Sequence, residues 1–232
     1  MHKHWISRRS VLRLGLCAGA ALPLGLAGFP PAQTRAAMKS DAVSANEDLM
    51  REHGALIRLL LVYREAATQL ESGGGGRVKE VRAAAGIIRR FIEDYHEKIE
   101  EKFVFPRLEK SPDLAGLVRV LREQHEAGRR VTDRLLELAG AELSGGKRAE
   151  AGRLIDTFSR MYYPHLARED TVLFPAYRAS LSVKEYATMG ARFEDLEHEI
   201  LGQGGFENTL AGIETLERDL GIDDLTRFTP AP

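Results

Sequence analysis

Two copies of one short pattern carry most of the chemistry open to this chain. The first runs His96-Glu97-Lys98-Ile99-Glu100-Glu101-Lys102-Phe103-Val104-Phe105-Pro106. The second runs His165-Leu166-Ala167-Arg168-Glu169-Asp170-Thr171-Val172-Leu173-Phe174-Pro175. Both read His-x3-Glu-acid-x3-Phe-Pro. A His and a Glu four apart share one helix face, one turn apart. They can bind the same metal ion or two adjacent ones. Each copy follows a helix that carries one inward His, His53 before the first and His125 before the second. Two carboxylates inside a ring of imidazoles are suited to bridging two divalent cations. The single cysteine, Cys17, falls in an N-terminal leader. The site is therefore expected to use His and carboxylate without thiolate.

Helices must place these residues. Ser44-x-x-Glu47 is a capping-box signature that opens a first helix. Leu49, His53, Leu56, Leu60, Tyr63 and Ala67 follow on one face, up to the turn Gly73-Gly74-Gly75-Gly76. A second helix starts near Arg77, carries Ile88, Ile92, His96, Ile99 and Phe103 inward, and stops around Pro106. Ser111-Pro112 opens a third, whose stripe is Leu114, Val118, Leu121, His125, Gly128, Val131 and Leu135. After a turn at Ser144-Gly145-Gly146, a fourth carries Leu154, Phe158, Met161, His165, Glu169 and Val172 to about Pro175. No stretch alternates convincingly enough for a strand. The expectation is all-α: an up-down-up-down four-helix bundle with additional C-terminal helices. A fifth helix opens at the capping box Ser182-x-x-Glu185 and runs to Gly202, and a shorter one spans about Asn208 to Leu220.

Height along the bundle tests the grouping independently. His53 lies about 19 residues before the glycine turn and His96 about 19 after it, so at about 1.5 Å per residue both stand roughly 28 Å from that turn. His125 lies about 15 residues before the next hairpin turn and His165 about 18 after it. Four histidines, one per helix, fall on one layer of the core, where an unpartnered imidazole would cost stability. His2 and His4 belong to the leader, and His198 has no matching partner. Glu97, Glu101 and Asp170 stand beside the stripes, where acids are more often solvated than ligating.

The chain of 232 residues has a formal net charge of −1, enough length for a real core and no electrostatic case for nucleic acid. Residues 1–37 read as an export signal. Ser7-Arg8-Arg9-Ser10-Val11-Leu12-Arg13 resembles a twin-arginine motif, followed by an apolar run and small residues at Thr34 to Ala37. A periplasmic location follows, with an uncleaved membrane anchor as the alternative. Residues 41–178 are then the bundle and 179–232 a helical extension. The extension could pack on the bundle or mediate self-association.

The two His-x3-Glu units, with His53 and His125, resemble the hemerythrin-like, HHE cation-binding domain family over about residues 45–176. His53, His96, Glu100, His125, His165 and Glu169 match its ligand positions, and both Phe-Pro closures match its pattern. The resemblance implies a non-haem centre of two iron ions with two bridging carboxylates. Departures stand beside it. Oxygen-carrying members place a further His one turn after the third-helix His, and Arg129 is there instead. Glu97 or water could take that place. Asp170 competes with Glu169 for the bridging role, and Glu169 repeats the offset of Glu100. Gly128 could admit a small ligand or simply allow close packing. Pro164 is a candidate kink, and Tyr95, Tyr162 and Tyr163 flank the ligands. The expected activity is binding of a small diatomic molecule, oxygen or nitric oxide. The alternative is a di-iron oxidoreductase or iron-donating cluster-repair protein. Iron storage or a partner-binding sensor fits the pattern less well.

Overall fold

The computed structural model describes residues 43–71, 77–140 and 145–230. The leader, Cys17, the glycine turn at 73–76 and Ser144 lie outside the described residues. Among the described residues there are six helices and no strand. Helix α1 is Ala45–Glu71. Helix α2 covers 78–108. It is α-helical over Val78–Ile87, widens to a π-helix over Ile88–His96, returns to α over Glu97–Ile99, widens again over Glu100–Val104 and closes as α over Phe105–Leu108. Helix α3 is Pro112–Leu138. Helix α4 covers 145–179, as α over Gly145–Arg168, π over Glu169–Leu173 and α over Phe174–Ala179. Helices α5 (Val183–Leu201) and α6 (Gly205–Leu220) follow, then a 3-10 turn at Leu225–Phe228. No described helix is long and apolar enough to cross a membrane.

Helix α1 packs on α2 and α4, and α3 packs on the same two, so the four enclose a common interior. Leu56, Leu60, Ile92, Ile99, Leu121 and Phe158 are fully buried there. The extension lies against this bundle, with α5 and α6 packing on α1 and α2. A two-pronged ion pair ties it down, in which Arg58 donates to Glu217 at 2.8 and 2.5 Å.

The π-turns correct the expected stripes. A π-turn inserts one residue into the helix, which rotates everything after it. After Glu100 the fully buried position is Val104, and Phe103 is only half-buried. After Glu169 it is Leu173, while Val172 is 39 % exposed. The same widening corrects the expected ends. A proline ring clashes with the carbonyl four residues back in an ordinary helix. Directly before Pro106 and Pro175, the N–H of Phe105 reaches back to Glu100 and that of Phe174 to Glu169, five residues away. The wider turn makes room for the ring, so α2 runs on to Leu108 and α4 to Ala179.

Gly145 and Gly146 begin α4 rather than forming the expected turn, at a helix end where backbone restraint is weakest. The capping box of α5 is complete: Ser182 accepts from the Glu185 N–H at 3.2 Å, and Glu185 accepts from the Ser182 N–H at 2.8 Å. Helix α6 starts earlier than Asn208, because its N-terminal cap is not local. Glu197 on α5 reaches over and accepts from the Phe206 N–H at 2.9 Å. Gly204, at φ +72°, makes the left-handed turn that allows this.

Candidate metal centre

The helices bring His53, His96, Glu100, His125, His165 and Glu169 together in the buried interior. The imidazoles form two pairs. His53 Nε2 faces His96 Nε2 at 3.1 Å, and His125 Nε2 faces His165 Nε2 at 3.2 Å. One carboxylate oxygen lies between helices on each side. Glu100 Oε2 is 3.6 Å from His96 Nε2 and 3.4 Å from His125 Nε2. Glu169 Oε2 is 3.1 Å from His165 Nε2 and 3.4 Å from His53 Nε2. Each carboxylate thus touches one imidazole of each pair. Two triads emerge with ligand-capable atoms within 4.8 Å of one another: His53, His96 and Glu100, and His125, His165 and Glu169.

The outer nitrogens explain why the inner ones face each other. His96 Nδ1 donates to Glu52 at 2.7 Å, and His53 Nδ1 donates to Asp170 at 2.7 Å. His125 Nδ1 donates to Glu101 at 3.2 Å, and His165 Nδ1 donates to Gln124 at 2.9 Å. A neutral imidazole that donates from one nitrogen keeps a lone pair on the other. Four lone pairs therefore point inward, in two pairs that repel unless a cation separates them. Aromatic rings hold two of the imidazoles flat. Phe174 stacks on His53 with ring centres at 5.2 Å, and Phe105 stacks on His125 at 5.3 Å. The two Phe-Pro closures thus each serve the first histidine of the opposite hairpin.

The electrostatics agree with a cation site. Both oxygens of Glu100 and both of Glu169 are buried and have no hydrogen-bond partner. Burial, and then the Glu169 charge, push the Glu100 carboxyl well above its ordinary range. Burial likewise raises Glu169. Burial pushes His96 down to about 4 and His165 down to about 3. The protein alone therefore favours protonated acids and neutral imidazoles. Four unsatisfied oxygens and four inward lone pairs are a donor set that fits divalent cation binding.

The remaining candidates take other places. Asp170 sits on the outer nitrogen of His53, half-buried, one position beyond Glu169. Glu97 is buried, accepts from the Tyr162 hydroxyl at 2.6 Å and from the Arg129 guanidinium at 2.7 Å, and is raised by burial. Arg129 also binds Glu101. Glu101, against its own partial burial, is held below the ordinary range by hydrogen bonds from His125, Lys98 and Arg129. A third group of possible ligand atoms combines Glu97, Glu101 and His125. Gly128 holds no ligand space: a Cβ there would meet the Tyr162 hydroxyl at 2.2 Å. Tyr95 donates to Glu52 at 2.9 Å, Tyr163 is partly exposed, and His198 is exposed. Pro164 lies inside α-helical backbone.

Glu52 and Gln124 escape a reading by helix stripes, although a signal is present. Each directly precedes an inward His, which turns its side chain toward the neighbouring helix. Glu101 and Asp170 are equivalent in the repeat and cross to the other hairpin. The four outer partners thus follow the same twofold pattern as the ligands.

The chain is 40% identical over 234 residues to uncharacterized proteins of Mycobacterium tuberculosis and Mycobacterium bovis, covering 97% of this chain and 92% of each relative. No solved structure matches it. Residues 44–177, which hold every residue of the two triads, match the hemerythrin HHE cation-binding domain, and the chain belongs to that family.

Proposed function

We propose that this protein is an exported non-haem di-iron protein that binds a small diatomic ligand, oxygen or nitric oxide, at a carboxylate-bridged centre. The observation that carries the reading is the four inward lone pairs around four unsatisfied carboxylate oxygens. One ion belongs with His53 and His96, the other with His125 and His165. Glu100 and Glu169 would bridge, because each carboxylate lies within 3.6 Å of an imidazole from both pairs. Asp170 is left to orient His53. The packing order of α1 to α4 supports an up-down-up-down bundle. The twin-arginine-like leader supports export to the periplasm.

Bound iron would supply reversible one-electron chemistry and open coordination positions. The protein's own part is to hold the donors ready. The outer hydrogen bonds fix each imidazole's tautomer and direction. Burial excludes water from the carboxylates. Tyr162 and Glu97 keep a shared proton beside the His125 and His165 pair. His53, His96, Glu100, His125, His165 and Glu169 would hold the ions, which would supply the positions where a diatomic binds.

A redox or iron-donating role is the second reading, favoured by Arg129. Its guanidinium stands one turn after His125 and pairs with Glu97 and Glu101, so it supplies no imidazole to the nearby ion. One experiment separates the two. The mature protein is loaded anaerobically with iron(II), oxygen is added while the optical spectrum is recorded, and oxygen is then removed. A new absorption that reverses supports ligand binding. Permanent oxidation supports redox chemistry or iron delivery. Failure to take up iron refutes both.

A further inference from the structure

The two halves of the centre are not backed alike. Behind His165 stands Gln124, neutral and half-buried. Behind His96 stands Glu52, buried, which accepts from His96 Nδ1 with one oxygen and from the Tyr95 hydroxyl with the other. Two further buried acids, Asp48 and Glu197, join it, with one oxygen of each of the three within 4.8 Å of the others. Glu197 comes from α5, outside the matched domain at 44–177. Its Oε1 also accepts from the Phe206 N–H and so caps α6. The cap spans the joint of the extension, which holds Gly202 at φ +80° and Gly204 at φ +72°. A packed route therefore runs from that joint to Glu197, from Glu197 to Glu52 within 4.8 Å, and from Glu52 by a hydrogen bond to His96.

We propose that Glu197 is a positioning residue for the metal centre, acting through Glu52 on His96, so that the C-terminal extension tunes the ion held by His53 and His96 and leaves the other ion alone. The proposal rests on the metal-centre reading above. Its physical basis is that negative charge behind an imidazole raises its donor strength and fixes its direction. Glu52 touches His96 Nδ1 directly, and Asp48 and Glu197 pack within 4.8 Å of it. Among the described residues no such group from the extension reaches the His165 nitrogen, whose partner is an amide.

The test compares the mature wild-type chain with Glu197→Gln, which keeps an oxygen to accept from Phe206. In the metal-free proteins, the imidazole Nδ1–H resonances are followed by NMR. The His96 signal is expected to move and the His165 signal to stay. Anaerobic competition titration with iron(II) then reads two binding steps. One step is expected to weaken about tenfold and the other to stay within about twofold. Two unchanged steps, or equal weakening of both with an unmoved His96 signal, overturn the proposal. If Glu197→Gln fails to fold by circular dichroism, Glu197→Asp, which draws the carboxyl back by one methylene, is read the same way, with the same one-sided loss expected. A wild-type chain that shows no two-step uptake refutes the metal reading. The NMR comparison still decides the link from Glu197 to His96 in that case.

Discussion

Gly128→Ala gives the sharpest check on how the centre is packed. Its Cβ would stand 2.2 Å from the Tyr162 hydroxyl and 3.0 Å from two ring carbons. Tyr162 has little freedom to retreat. Its ring lies 4.4 Å from Phe158 and 5.3 Å from His165, and its hydroxyl donates to buried Glu97 at 2.6 Å. Overpacking costs about 1–3 kcal/mol. Pulling the hydroxyl off Glu97 strips a donor from a buried carboxyl, for a further loss of about 1–3 kcal/mol. Alanine returns about 1 kcal/mol of helix propensity over glycine. The expected net loss is about 1–5 kcal/mol. Urea unfolding of the metal-free protein measures it as a lower midpoint at constant slope. Gly116 lies on the same helix with nothing near its Cβ position, so Gly116→Ala should gain up to about 1 kcal/mol. Tyr162→Phe removes the clashing oxygen, so adding it to Gly128→Ala should cost less than the two single losses summed. A neutral or stabilising Gly128→Ala, or strict additivity with Tyr162→Phe, would refute the packing of Tyr162 over this glycine.

Three further outcomes are expected. Glu169→Gln should weaken both metal steps in an iron(II) titration, whereas Asp170→Asn, which touches only the outer nitrogen of His53, should weaken one of them about tenfold. Equal effects would deny the two carboxylates their separate places. Metal loading just above the ordinary carboxyl range should release protons, because burial raises Glu100 well above 4.5 and raises Glu169 as well. Calorimetry in two buffers of different ionisation heat reads this, and a buffer-independent heat would contradict it. The metal-free protein should also show two opposing pH limbs. His96 and His165 are depressed from 6.5 to about 4 and about 3, so their contribution is complete above pH 6.5 and is lost as pH falls toward those values. Glu100 and Glu169 are raised, so their contribution is complete below about 4.5 and is lost as pH rises. A Glu100→Gln and Glu169→Gln double variant removes these two groups' share of the opposing limb and keeps the histidine limb. Its stability should rise between pH 4 and 6.5 more steeply than that of the wild type, as read by thermal melts.

Spacing alone was enough to place His53, His96, His125 and His165 on one layer and to put Glu100 and Glu169 one turn beyond two of them. Those facts follow from helical rise and periodicity, which are local and uniform along a chain. The capping box at Ser182 and Glu185 was legible for the same reason. The π-turns at Glu100–Val104 and Glu169–Leu173 were not, because each arises where a helix must seat an inward carboxylate and a proline ring within one turn. A fixed 3.6-residue period therefore pointed to Phe103 and Val172, where the fold buries Val104 and Leu173. The tertiary structure alone decided the outer contacts: Glu52 on His96, Asp170 on His53, Gln124 on His165, and Arg129 across Glu97 and Glu101. It also decided that Gly128 accommodates Tyr162, and that Glu197 reaches from the extension to the acids behind His96. Each of these joins residues on different helices. Helix packing sets such distances, and the order of residues along one helix carries no record of which neighbour its side faces.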